Sequence, residues 1–287
     1  MFFRTGLRLE DQADAVVAAI LAVVEASLSA EGYARTREAM ELNGYLGELV
    51  DLPTIMNDRS YWFALYGTPG AGPWGWQLFG HHMAVHSVFV GARQVIAPVF
   101  LGAEPALSDD ERPPLFDARE RTALELAASL TDDQRSQAVV YRSVLDPAMP
   151  EGRRHPADER HVAGAFRDNR VVPYEGIAAS ELTTTQWALL TEIIEDFHLL
   201  LPADQRLLAL AEVETHRDET RFCWYGATDG TQPFYFRIQS PVILAELDHH
   251  AGVWLSNRLP ARFHVHTTLR LPNGNDYGTA FIAARNR

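Results

Sequence analysis

The histidines of this chain are concentrated where they can act together. The sequence of 287 residues contains 11 histidines. Seven of them fall in three short stretches: His81, His82 and His86; His249 and His250; and His264 and His266. Imidazole is a common protein ligand for zinc, iron and copper, and it exchanges protons near neutral pH. The clustering therefore indicates one shared metal or catalytic site.

His264 and His266 have the spacing of two ligands of one ion. Alternate side chains of an extended strand leave the same face, and at roughly 3.3 Å per residue their Cα atoms stand about 6.6 Å apart. His82 and His86 also share a face, but at roughly 3.3 Å per residue a straight strand separates them by about 13 Å, too far for one ion. We therefore expect only one of them, His82, to join the site.

Two carboxylates lie on a strand that could complete this site. By the same alternation Glu246, Asp248 and His250 share one face of their strand, and His249 points away. The resulting arrangement combines the chelating pair with His82 and one carboxylate, from Glu246 or Asp248. Such a set, with open positions, serves zinc hydrolysis or non-haem iron chemistry.

Other interpretations of these residues stay open. His249 and His250 can simply cap the exposed end of an apolar strand, and a histidine on a sheet is often a hydrogen-bonded structural residue. Arg237 and Arg270, both in strand patterns, could clamp an anionic substrate or form salt bridges. The sequence has no His-Glu-x-x-His motif, no phosphate loop and no Gly-x-Ser-x-Gly elbow.

Composition and charge restrict the location and the partners. The net charge of −13 repels nucleic-acid phosphates and anionic lipid, which argues against both as partners. The apolar stretch of residues 13–30 is interrupted by Asp14 and Glu25, so we expect neither a signal peptide nor a membrane span there. Cys223 is the only cysteine, and its alternating context predicts burial. A cytoplasmic protein fits these properties best.

Helical signals occur at the N-terminus and in the middle of the chain. Apolar residues at spacings of three and four within 13–24 predict an N-terminal helix. Thr131 with Gln134, and Thr183 with Gln186, have the spacing of capping boxes and predict two helix starts. Residues 146–170 between them are polar and rich in Pro, Gly and charge, which predicts a surface insertion.

Strand signals form two blocks on either side of this helical region. The first covers residues 60–67, 74–90 and 94–100, and the second covers 220–226, 232–239, 242–249, 263–271 and 277–284. Turn formers join them, including the Asn273-Gly274 dipeptide before the last segment. Hairpins rather than helical crossovers predict an α+β fold with an antiparallel or mixed sheet, built as a single domain over residues 1–287.

Three motifs in this order resemble a known family. They are Trp74-Gly-Trp-Gln-Leu-Phe-Gly-His-His, Glu175-Gly-Ile, and Phe263-His-Val-His-Thr followed by Pro272-Asn-Gly-Asn-Asp-Tyr-Gly. From about residue 62 to the C-terminus the chain is similar to the domain of unknown function 3500 family. The resemblance places the site at His81, His82, His264 and His266, which we interpret as metal ligands, and at Glu246 and Asp248, which we interpret as its acids. It implies no activity.

These observations predict a metal-dependent enzyme that acts on a small polar molecule. The metal would be a divalent transition ion, either zinc, iron or copper. Glu246 or Asp248 would take a proton, and Arg270 would contact the substrate. Because no cofactor motif is present, hydrolytic or lyase-type chemistry is favoured. The alternatives are a non-haem iron or copper oxidoreductase on the same ligands and a non-catalytic small-ligand-binding protein.

Overall fold

Antiparallel hairpins generate most of the sheet. A computed structural model describes residues 5–110, 112–164, 172–272 and 274–285. The strands are β1 Leu7–Arg8, β2 Tyr61–Tyr66, β3 Trp74–Gly80, β4 Met83–Val90, β5 Arg93–Ala103, β6 Val139–Tyr141, β7 Ile177–Ala178, β8 Arg221–Tyr225, β9 Tyr235–Gln239, β10 Leu244–His249 and β11 Val265–Arg270. The helices are α1 Asp14–Ser27, α2 Ala30–Leu49, α3 Asp117–Ser129, α4 Asp132–Ala138, α5 Thr184–Phe197, α6 Ala203–Thr215 and α7 Thr279–Arg285.

Within the described residues all eleven strands belong to one sheet. Its order is β1-β2-β3-β4-β5-β11-β10-β9-β8-β6, and β7 pairs with β8 beside this path. The pairs are antiparallel except for β6 with β8, which is parallel. This mostly antiparallel sheet with its helices confirms the predicted α+β class.

The sheet is built from two halves with the same order of elements. In each half a two-residue strand and a 3-10 turn precede two α-helices and four further strands: β1, α1, α2 and β2 to β5, then β7, α5, α6 and β8 to β11. The first strand of each half follows a glycine with positive φ, Gly6 at 109° and Gly176 at 85°. The halves are joined by the antiparallel pairing of β5 with β11.

The two faces of the sheet differ because apolar and polar residues alternate along the second-half strands. Phe236, Leu247 and Val265 point to one face and join the main apolar core with residues of α1, α2, α3 and α5. The residues between them, such as Tyr235, Asp248 and His266, point to the other face. That face is covered by irregular chain, so its polar groups are buried with partners rather than hydrated.

Most predicted elements are confirmed. Both capping boxes are present, at Thr131 with Gln134 and at Thr183 with Gln186. The predicted N-terminal helix corresponds to α1, which a second helix, α2, follows directly. Cys223 is buried, and burial raises the pKa of its thiol to about 11. No helix among the described residues is long and apolar enough to cross a membrane.

Two predictions about local structure are wrong, in addition to that of one continuous strand over residues 74–90, which is divided into β3 and β4. The last segment, residues 277–284, is not a strand: a 3-10 turn at Asp276–Gly278 leads into α7, with Tyr277 at φ 59°. Within residues 146–164 the chain is irregular, as predicted, but it is not wholly on the surface, because Arg160 and His161 are buried against the sheet. Residues 165–170 of the predicted insertion lie outside the described residues.

Replacing Gly176 by alanine tests how tightly the chain before β7 packs against β8. A Cβ at Gly176 would stand 2.0 Å from the Phe222 carbonyl oxygen, in addition to the positive φ. We expect Gly176→Ala to lower the free energy of unfolding in urea by about 3 kcal/mol or more. Gly152 also has positive φ, but nothing lies within 4 Å of its Cβ position. The matched Gly152→Ala should cost only about 1–2 kcal/mol, and equal losses in the two variants would contradict the packing explanation.

Candidate metal centre

A single row of the sheet positions the histidines of the polar face. His266 on β11 is opposite Gly102 of β5 on one side and Asp248 of β10 on the other. His82 joins the same row because its carbonyl accepts a hydrogen bond from the Gly102 amide at 2.8 Å. A Cβ at Gly102 would lie 2.9 Å from Cδ2 of His266 and 3.2 Å from Cδ2 of His82. The two imidazoles can approach each other because no side chain separates them.

His81 and His82 form the two-residue turn between β3 and β4, rather than part of a continuous strand. His82 has φ 57°, a left-handed conformation that non-glycine residues seldom adopt. The ring of His81 lies against that of His82, with centroids 3.9 Å apart. Its Nδ1 is 2.9 Å from Oδ1 of Asn43, and its Nε2 accepts from the indole of Trp254 at 3.3 Å. Both ring nitrogens of His81 are therefore engaged away from the other histidines, and its ring supports His82.

Three imidazole nitrogens converge at the end of this row. Nε2 of His264 lies 3.0 Å from Nε2 of His266 and 3.3 Å from Nε2 of His82. Two nitrogen ligands of one tetrahedral zinc ion, each about 2.0–2.1 Å from the metal, are about 3.4 Å apart. Two of the three nitrogen pairs are thus close to the spacing of ligands to one ion, and all three ligand atoms lie within 4.8 Å of one another.

The protonation of these rings suits metal ligation. Nδ1 of His264 lies 2.8 Å from the Ala251 carbonyl oxygen, which can only accept, so Nδ1 carries the proton and Nε2 keeps its lone pair. Burial and the neighbouring rings of His250 and His81 lower the pKa of His264 to about 3. Burial and the adjacent rings also hold the pKa values of His82 and His266 well below their usual range. All three are neutral at pH 7.

Glu104, which the sequence did not single out, orients the loop that fixes His264. Its carboxylate accepts from the amides of Val253, Trp254 and Leu255 at 2.9 to 3.2 Å. These bonds hold the turn that presents the Ala251 carbonyl to His264. Glu104 directly follows β5 and is buried. Glu104 does not share a strand segment with the clustered histidines, so the sequence pattern did not distinguish it from other acidic residues.

Asp248 and Glu246, the proposed acids, both lie on the polar face. Asp248 accepts from Nε of Arg160 at 2.6 Å and from the Arg160 amide at 3.0 Å. Burial alone would raise the pKa of Asp248, but Arg160 and the neighbouring histidines hold it below its usual value. Glu246 accepts from the amides of Val162 and Ala163, at 2.8 and 2.9 Å, and from the Tyr235 hydroxyl at 2.6 Å.

Arg270 and His86 lie on the same face but have other partners among the described residues. Arg270 donates to the carbonyls of Ala163 and Gly164 and contacts Asp276 at 3.3 Å. His86 lies 3.0 Å from the Pro98 carbonyl and contacts the ring of Tyr277. The structure brings His82, which lies in the turn before β4, but not His86 to His264 and His266 at the start of β11.

A second group, made of His161, Asp248 and His250, lies beside the three converging imidazoles. Each of its members offers a ligand atom within 4.8 Å of the others. The rings of His250 and His266 are in contact, with centroids 3.7 Å apart and planes tilted by 34°. The alternation of β10 had placed His250 with Glu246 and Asp248, so its position was visible in the sequence. His161 belongs to the irregular segment, where no periodicity predicts what a side chain contacts. His249 points to the opposite face, 3.4 Å from Glu120, as the alternation predicted.

The site is deeply set and narrow. His264 is fully buried and His82 is 8% exposed, while Trp254 at the rim is 39% exposed. An open cavity of about 470 Å³ lies instead beside Trp74, Arg93 and Phe281, at the other end of the β3–β4 hairpin from His82.

Comparison with known proteins identifies a family without an assigned activity. The family model described as protein of unknown function (DUF3500) matches residues 1–279. This match confirms the resemblance that the motifs predicted. No curated protein and no solved structure matches the chain.

The buried pair of Asp248 and Arg160 makes a testable contribution to stability. We expect Asp248→Ala to lower the free energy of unfolding by about 3–5 kcal/mol, because it leaves the Arg160 guanidinium buried with one partner fewer. Asp110 and Arg112 form a pair of similar length, 2.7 Å, but with side chains 43% and 46% exposed. Asp110→Ala should cost about 1 kcal/mol or less. Chemical denaturation of both variants measures the difference, and a loss below 1 kcal/mol for Asp248→Ala would contradict it.

Proposed function

Because the chain belongs to the DUF3500 family, whose description assigns no activity, we propose its function from the geometry. It is a metal-dependent enzyme that acts on a small polar molecule by hydrolytic or lyase-type chemistry. The observation that carries the proposal is the convergence of three Nε2 atoms, from His82, His264 and His266, at 3.0 and 3.3 Å.

Hydrogen bonding between the rings is a weaker explanation of this convergence. The Nε2 lone pair of His264 points in one direction and can accept one well-aligned hydrogen bond, yet it faces two other Nε2 atoms. A cation placed between the three nitrogens satisfies all of them at once. Neutral rings, a fixed His264 tautomer and a glycine that allows close approach are the features that such a site needs.

We call His82, His264 and His266 the trio. The residues around the trio have separate roles in this proposal. An ion held by three imidazoles lowers the pKa of a bound water and polarises a carbonyl or phosphoryl oxygen. Asp248 is the carboxylate that we assign to the centre, since it contacts His250 at 3.3 Å and the ring of His250 contacts that of His266. Glu246 and Arg270 instead hold residues 162–164 over the sheet. We therefore assign them to positioning the centre rather than to proton transfer or substrate binding.

Metal content tests the proposal directly. Protein produced without a histidine tag should contain at least one equivalent of a transition metal per chain, measured by plasma mass spectrometry. His264→Ala combined with His266→Ala should remove that metal. His216→Ala is the matched control, because His216 is partly exposed beside Glu219 at the end of α6. Zinc would support the hydrolytic or lyase form, and iron or copper would support the oxidative one. If the wild-type protein contains only traces of metal, and the double substitution does not change that metal content, the result would contradict the proposal and favour a non-catalytic binding protein.

Gly102 gives a second test that leaves every proposed ligand in place. An added methyl group in Gly102→Ala would push His82 and His266 apart, so we expect metal affinity to fall by roughly 10–100-fold, as for other changes around metal ligands. Competition with a chromophoric chelator measures the affinity. Gly91 has positive φ but open space around its Cβ position. Gly91→Ala should therefore keep the wild-type affinity, and an equal affinity in Gly102→Ala would argue against an ion between these rings.

A further inference from the structure

In the second group, made of His161, Asp248 and His250, hydrogen bonds to the backbone hold His161 in position. Asp248 accepts the amide of Arg160, and Glu246 accepts the amides of Val162 and Ala163. His161 lies between these anchor points, so two carboxylates of β10 fix the backbone on both sides of this one histidine. Its Nδ1 lies 2.9 Å from Oγ1 of Thr268 on β11. The irregular segment is thus tied down at the position that places an imidazole over the sheet.

The ring of His161 and its neighbours present ligand atoms to one point. Nε2 of His250 lies 3.3 Å from Oδ2 of Asp248, and the three side chains offer ligand atoms within 4.8 Å of one another. Burial lowers the pKa of His161, which keeps its ring neutral and able to bind a cation. Two imidazoles and one carboxylate form a ligand set used by catalytic zinc and by non-haem iron.

Buried carboxylates lie beside the second group of imidazoles as well as beside the trio. Among the described residues, three buried carboxylates contact these imidazoles: Glu104 near His264, Glu246 near His161, and Asp248 near His250. Arg160 is the guanidinium that contacts one of them, at Asp248. Amide hydrogen bonds disperse the carboxylate charge but do not cancel it. Arg153 and Arg237 also interact electrostatically with Glu246, and a divalent cation held among the rings would give all three carboxylates a further positive partner.

We propose that His161, Asp248 and His250 hold a second divalent cation beside the first, so that the site is a two-metal centre. This inference rests on the proposed function, since the contact between the rings of His250 and His266, with centroids 3.7 Å apart, makes the two ligand groups neighbours. Paired ions about 3.5–4 Å apart stabilise both the attacking and the leaving oxygen in hydrolysis. Two divalent ions would also outweigh the carboxylates, which selects an anionic substrate such as a carboxylate or phosphate ester.

Stoichiometry of Mn²⁺ binding tests this proposal. Chelator-treated full-length protein, reloaded with Mn²⁺ alone, should bind two ions per chain. His161→Ala with His250→Ala should bind one, and His264→Ala with His266→Ala should also bind one. His155 lies in the same irregular segment as His161, and its side chain is 45% exposed. His155→Ala is therefore the control and should keep both ions.

Electron paramagnetic resonance of the loaded wild-type protein tests proximity without any substitution. Two neighbouring Mn²⁺ ions should give an exchange-coupled spectrum, whereas separate ions give the spectrum of isolated Mn²⁺. One isolated ion per chain, lost with His264 and His266 but kept without His161 and His250, would overturn the second site and leave the proposed function intact. No bound ion would overturn both. If the alanine variants do not fold, the wild-type stoichiometry and spectrum alone decide.

Discussion

The pairing of β5 with β11 is the interaction on which the rest of the structure depends. It joins the two halves into one sheet, and at its end it sets Gly102 opposite His266. On the other side of β11, Asp248 faces the same residue, and Tyr235 of β9 follows in that row. The turn bearing His82 is attached to the row through the Gly102 amide. A shift of this pairing by one residue would reverse the faces of His264 and His266 and separate them from His82.

Burying so many polar groups on one face carries a cost that backbone hydrogen bonds offset. An ionised carboxylate without partners is strongly unfavourable in the interior. Glu104 and Glu246 each accept from at least two backbone amides, and Asp248 accepts from an amide and a guanidinium. The amides belong to irregular chain at 159–163 and 251–255, which has no sheet partners of its own. The carboxylates and the loops therefore satisfy each other, and the loops in turn position His161 and the carbonyl that orients His264.

The part of the site on regular strands was predictable from sequence, and the part on turns was not. Alternation places His264 with His266, and Asp248 with His250, because strand geometry depends little on distant contacts. The β3–β4 turn was missed because apolar residues continue on both sides of His81 and His82, and neither is a usual turn former. His161 was taken for a surface residue because the segment around it is polar. Its burial depends on Asp248 and Glu246, some 85 residues later in the chain.

The last segment of the chain was also predicted wrongly, because a local signal was given too much weight. Asn273-Gly274 suggested a hairpin, but a following strand would need a free edge, and β11 is already paired on both sides, with β5 and β10. The chain instead turns through Tyr277 into α7, and Asp276 pairs with Arg270. Topology thus overrides the local turn signal.

The candidate centre lies where the pairing of β5 with β11 joins the two halves, so neither half contains it alone. The second half supplies the acids of β10 and the histidines of β11, the first half supplies the His82 turn and Gly102, and His161 comes from the segment between the halves. On the same face of the first half, β4 and β5 carry Ala84, Pro98 and Phe100, which cannot ionise, and His86, which contacts Pro98 and Tyr277. The two halves share an order of elements but not a chemistry. The proposed ligands come together only when the β5–β11 pairing has formed, so assembly of the site depends on the joining of the two halves.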